Sequence, residues 1–314
     1  MRTKILALCG GIGGSKLAFG LSKILSSEEL FFLVNTGDDF IHYNLKICPD
    51  LDTLMYTLAG INDRTKGWGV QNESWKTLEK LKFLGDEPWF QLGDKDLATH
   101  LRRTSLLNEG RDLSSITLSL SNSFGVKHKI LPMSETPVST MLLTDSGRLS
   151  FQEYFVKFRC KPKVESFEYM GKEEAKIPKL LSKLMAEDVF SGIIICPSNP
   201  YLSIDPILSI DKINQFIKQT TSPILTVSPI INNESVKGPT SKIMKELGEE
   251  SSVKTIADHY KDITDLLMID TKDRKSISGI HSIQVKTDSI YMQTNDDKIS
   301  LAKSCLDTLQ SEGV

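Results

Sequence analysis

The chain has 314 residues, 39% hydrophobic and 25% charged, with 38 Lys+Arg against 40 Asp+Glu and a formal net charge of −2. That composition belongs to a globular protein with a sizeable core, and the length fits one α/β unit, residues 1–314, carrying insertions. The balanced charge argues against a nucleic-acid surface, and no apolar run approaches the ~20 residues needed to span a bilayer.

The first nine residues are too short for a secretory leader, and glycines follow where its apolar stretch would continue. Ile5-Leu6-Ala7-Leu8-Cys9 reads as a buried strand, Gly10-Gly11-Ile12-Gly13-Gly14 as a loop and residues 15–25 as an amphipathic helix. A second apolar run, Leu30-Phe31-Phe32-Leu33-Val34, ends in Asn35-Thr36-Gly37-Asp38-Asp39. Continuous apolar strands alternating with helices predict a mostly parallel, Rossmann-like sheet covered by helices on both faces. Residues 50–124 predict a helical insertion, broken at Gly67-Trp68-Gly69 and Glu87-Pro88; residues 127–160, from Lys129 on, predict an antiparallel β excursion. The parallel pattern resumes at Gly192-Ile193-Ile194-Ile195-Cys196, Ile224-Leu225-Thr226-Val227-Ser228 and residues 266–269, and a helix over 299–309 closes the chain. Five cysteines (Cys9, Cys48, Cys160, Cys196, Cys305) are odd in number, scattered and without C-x-x-C. Buried thiols in a reducing cytosol fit them better than disulfides or a zinc site.

A strand feeding a glycine turn and a helix points backbone N–H groups at an anion. The specific phosphate motifs are broken: Lys16 stands where a dinucleotide fingerprint needs glycine, and Ser15-Lys16-Leu17 replaces the Walker Gly-Lys-Ser/Thr. Phosphate contact through Gly11, Gly13 and Gly14 and a purely structural turn both remain open, as do a phosphate-binding and a solvated Lys16.

Asp38 and Asp39 follow the second strand, where open α/β sheets bind ligands. Asp50 and Asp52 open a helix, and either serves as a cap or dipole partner or joins Asp38 in an oxygen-rich Mg²⁺ site. Two residues apart, they do not share a helix face. In Leu92-Gly93-Asp94-Lys95-Asp96-Leu97-Ala98-Thr99-His100-Leu101-Arg102-Arg103, a helix from Asp94 puts Asp96, Thr99, His100 and Arg103 on one face, either salt-bridged or ligand-binding. Pro197-Ser198-Asn199-Pro200 and Val236-Lys237-Gly238-Pro239 read as ligand loops or as ordinary turns.

Together these segments resemble the 2-phospho-L-lactate transferase family of coenzyme F420 biosynthesis. The likeness runs through the 10–16 loop, Asn35-Thr36-Gly37-Asp38-Asp39, Cys48-Pro49-Asp50-Leu51-Asp52-Thr53, Met55-Tyr56-Thr57-Leu58, Gly67-Trp68-Gly69, the 92–100 segment, Phe151-Gln152-Glu153-Tyr154 and Pro197-Ser198-Asn199-Pro200. It implies Mg²⁺-dependent transfer of a 2-phospholactyl or phosphoenolpyruvyl group from a guanosine diphosphate donor to the deazaflavin Fo, with release of GMP. It also implies a cytoplasmic homodimer. On that resemblance Asp38, Asp50 and Asp52 are the catalytic candidates, with Asp38 and Asp52 as metal ligands. The substrate-binding candidates are Gly11, Gly13, Gly14, Lys16, Lys95, Ser198 and Asn199. Many relatives carry arginine at the place of Lys95, and lysine keeps the charge without the planar fork. Trp68 either stacks on the deazaflavin or belongs to the core. The rival expectation is a non-catalytic nucleotide-sugar-binding regulator of the same superfamily; an NAD oxidoreductase fits less well, with Asn35-Thr36 where a ribose-binding acid belongs.

Overall fold

A computed structural model describes residues 4–281 and 283–312. Seven strands form its main sheet: β1 (Lys4–Cys9), β2 (Leu30–Val34), β3 (Lys129–Pro132), β4 (Phe190–Ile195), β5 (Ile224–Val227), β6 (Leu266–Asp270) and β7 (Gln284–Asp288). All neighbours pair parallel. Their spatial order is 3-2-1-4-5-6-7, the Rossmann order with one strand added. The order reverses between β1 and β4, so the loops after Cys9 and Ile195 open a crevice at that switch point.

Period two sorts the side chains. Leu6, Leu8, Phe31 and Leu33 join one buried core, while Ile5, Ala7, Cys9, Leu30, Phe32 and Val34 join the other. The Gly11–Ile24 and Asn295–Glu312 helices pack together over the second face. Burial on both faces is why these strands read as unbroken apolar runs.

The helical insertion is present as Pro49–Ala59, Lys76–Phe83, Asp94–Asn108 and Leu113–Ser123. Three readings are corrected. Lys129–Pro132 belongs to the main sheet as its edge strand, paired with β2; the antiparallel excursion comprises Ser139–Thr144, Gly147–Ser150 and Val164–Met170. Gln284–Asp288 is a seventh strand whose Lys and Asp content hid it, because an edge strand carries a half-exposed, polar pattern. The first helix begins at Gly11 rather than Ser15, so the glycines form its first turn. Among the described residues no helix is long and apolar enough to cross a membrane.

Candidate active site

The crevice is knitted from the two switch-point loops. The Gly10 N–H donates to Ser198 Oγ (3.2 Å), and that hydroxyl donates back to the Gly10 carbonyl (2.7 Å). A Cβ on Gly14 would lie 2.7 Å from Ser198 Oγ, and one on Gly13 would collide with the Pro197 carbonyl. These glycines therefore allow a close backbone approach, and Ser198 spends its hydroxyl holding the loop. Gly13→Ala should cost about 1–3 kcal/mol through this overpacking. A lowered midpoint in thermal or urea melts checks it; an unchanged melt would mean that the loops do not meet this closely. Asn199 Oδ1 caps the Pro200–Ile204 turn through the Leu202 N–H (3.1 Å), while its buried Nδ2 has no partner among the described residues.

Asp38 and Asp50 come together across the crevice, both buried. Burial first and Asp50 second push the Asp38 carboxyl well above its ordinary range. Burial likewise pushes Asp50 up to about 6, against hydrogen bonds from Asn35 and the Gly11 amide that hold it down. Asp50 is the second residue of its helix, whose N-cap is Cys48. Its carboxyl accepts from Asn35 Nδ2 (Oδ2, 2.9 Å) and from the amide of Gly11, the residue that opens the Gly11–Ile24 helix. Asp38 Oδ1 and Thr36 Oγ1 are buried without partners among the described residues, whereas Asp39 pairs with Lys46 at 3.1 Å.

Asp52 faces a different neighbourhood, as its spacing from Asp50 requires. Arg103, 1% exposed, grips it with two guanidinium nitrogens, Nη1 at 3.1 Å and Nη2 closer still. Burial would lower the Arg103 pKa, yet Asp52 more than offsets it and the guanidinium stays charged. His100 Nδ1 lies 3.2 Å from Arg103 Nη1, and Nε2 lies 3.2 Å from Asp96 Oδ2. The Tyr56 hydroxyl donates to Asp96 Oδ1 at 2.8 Å. The face expected on the Asp94–Asn108 helix exists, and it packs on Asp52. Asp96 also lines a small cleft with Lys66, Trp68 and Trp75, where the Lys66 ammonium lies over both indoles at 5.1 and 4.6 Å. Lys95 is exposed at this cleft's edge and donates to the Gln71 and Asn72 carbonyls at 3.1 and 2.6 Å.

Lys16 donates to the Met292 carbonyl at 2.7 Å, and its pKa is lowered by burial and then by Lys237 and Lys298. Lys237 meets the 66–67 loop by donating to the Lys66 carbonyl at 3.1 Å. Lys16 and Lys237, with Lys298 close enough to add to the field on Lys16, bring positive charge to the Gly11–Ile24 helix, a setting for an anion.

Two places suit a cation differently. Asp52, Asp96 and His100 form a buried group able to hold a metal ion, their ligand atoms within 4.8 Å of one another. Arg103 already balances that group. Among the described residues no cation pairs with Asp38 or Asp50, and Asp38 keeps an unpartnered oxygen, which fits a hard, oxygen-seeking ion. Sequence reasoning missed Asn35 as a site residue and missed Tyr56 as the Asp96 partner; Asn35 stood in view beside Asp38, but nothing in the spacing tied it to Asp50.

Fold and site define a Rossmann-like α/β protein with a buried acidic crevice at the switch point of its sheet. The chain belongs to the family described as 2-phospho-L-lactate transferase CofD, whose model matches residues 5–303. It is 40% identical over 271 residues to a 2-phospho-L-lactate transferase of Methanosarcina mazei, covering 86% of this chain and 88% of that one. It is 34% identical over 300 residues to a phosphoenolpyruvate transferase of Streptomyces griseus, covering 93% of each. A UPF0052-family structure from Bacillus halodurans shares the fold, with a TM-score of 0.63 at 15% identity over 98% of this chain and 99% of the other.

Proposed function

We propose that the protein transfers a 2-phospholactyl or phosphoenolpyruvyl group from a guanosine-diphosphate-activated donor to the ribityl hydroxyl of Fo, releasing GMP. The ribityl oxygen bonds to the phosphorus carrying the three-carbon acid as the bond to the bridging oxygen breaks. GMP departs with that oxygen, and the hydroxyl proton passes to a carboxylate. The observation that carries the reading is the uncompensated Asp38–Asp50 pair at the switch point of a chain from this family.

Phosphoryl transfer asks the protein mainly to position and to neutralise. Asp38 and Asp50 would hold Mg²⁺, which when bound offsets the charge developing on the leaving phosphate. Lys16 and Lys237 attract the anionic donor to the glycine loop, and the free Asn199 Nδ2 offers it a donor group. On the acceptor side, Asp52, bound by Arg103, holds the wall of the crevice, with Trp68 and Lys95 beside the cleft that receives the deazaflavin.

Purified protein given Fo, either donor and Mg²⁺ should yield GMP and a heavier deazaflavin by mass spectrometry; no product with either donor would sink the reading. Because burial lifts Asp50 to about 6 and holds Asp38 well above its ordinary range, protons compete with the cation as pH falls through the Asp50 value. Added Mg²⁺ should therefore raise the melting temperature more at pH 8 than at pH 5.5.

A further inference from the structure

Asn35, at the C-terminal end of β2, is 0% exposed. Its Nδ2 donates to Asp50 Oδ2 (2.9 Å) and to the Leu202 carbonyl (3.2 Å), and its Oδ1 accepts the Gly37 N–H (2.7 Å). Two acceptors on one side and one N–H donor on the other fix the amide's orientation, and all of its hydrogen-bonding groups are engaged. Its own backbone N–H donates to the Cys9 carbonyl at 3.0 Å, which anchors it to β1.

The consequence is geometric. Nδ2 settles where Oδ2 of Asp50 lies, and the Gly11 amide adds a second bond to the same carboxyl at the mouth of the glycine turn. Oδ1 closes the turn at Gly37, the residue before Asp38, and so aims the second carboxylate. We propose that Asn35 is a positioning residue: one buried amide sets the separation and direction of Asp38 and Asp50 as a pair of oxygen ligands. The Leu202 bond ties the same amide to the turn capped by Asn199, so the donor-side loop and the acidic pair share a brace. The proposal rests on the transfer reading only for the identity of the reaction.

Aspartate at this position would keep the shape and the bond to Gly37 but lose both N–H donors, leaving a carboxylate against Asp50 and Leu202. Alanine would remove all three bonds. Asn35→Asp and Asn35→Ala should each weaken Mg²⁺ binding, read by calorimetry without substrates, by about 10–100-fold. The turnover number should fall by a similar factor, with the KM for Fo within twofold of wild type. A residue that merely stabilises the fold would lower the melting temperature and leave Mg²⁺ affinity unchanged. Folded variants with wild-type Mg²⁺ affinity and turnover would overturn the proposal. So would failure of both variants to fold in the presence of Mg²⁺, which would assign Asn35 to the fold. Wild-type protein that makes no product overturns the transfer reading instead, because the calorimetric comparison does not use that reaction.

Discussion

The Asp50→Asn protein is expected to fold and to lose about 10²–10⁴-fold of its transfer rate, the range for removing a charged group from a reacting centre. It should also melt no lower than wild type in metal-free buffer at pH 8. The asymmetry follows from the site. Burial lifts Asp50 from 3.8 to about 6, which at about 1.4 kcal/mol per unit sets the folded state against the carboxylate by roughly 3 kcal/mol. The sign is that of a raised acid: its contribution to stability is full below pH 3.8 and is lost as pH rises through about 6. A neutral amide escapes that loss while Asn35 can still donate to its oxygen. The melting-temperature difference between variant and wild type should thus grow between about pH 4 and pH 6 and level off above. Loss of folding together with activity would show that Asp50 is a structural group.

Asp52→Asn should behave in the opposite way. Here the carboxylate is the partner of a fully buried guanidinium, and removing one member of such a pair costs about 3–5 kcal/mol because the other charge is stranded. Chemical denaturation should show that loss for Asp52→Asn and a similar one for Arg103→Met. The double variant Asp52→Leu with Arg103→Met should recover much of it, since no buried charge is left unpaired. Additive losses in the double variant would mean that the two residues do not depend on each other. A drop in transfer rate for Asp52→Asn must then be measured on the folded fraction, where it separates a role in chemistry from one in holding the wall of the crevice.

The contrast between the two aspartates marks what sequence could carry. Asp50 and Asp52 stand in one motif, and helix periodicity foretells only that they point apart. Periodicity also places Asp96, Thr99, His100 and Arg103 on one face, which is where the structure puts them. It does not say that this face meets Asp52, because the 41 residues between Asp52 and Asp94 form no pattern that fixes how they fold back. Gly13 and Gly14 looked like a phosphate loop; their neighbours Pro197 and Ser198 add a packing reason that lies over 180 residues away. Lys129–Pro132 was misassigned because a short strand carries no mark of which sheet it will join.

Strong local regularities were thus determined by the sequence alone: buried strands over residues 5–9, 30–34, 192–196, 224–228 and 266–269, each within two residues of the strand that forms, glycines and aspartates at strand ends, and cover on both faces of a parallel sheet. Each depends on neighbours within a few residues, where hydrophobic period and backbone preference act directly. Tertiary structure decided which charges are compensated. Asp52 received Arg103, Asp39 received Lys46, and Asp38 and Asp50 were left facing each other with Asn35 between loop and helix. Charge compensation depends on distance and desolvation in space, and neither is encoded in the order of residues along the chain.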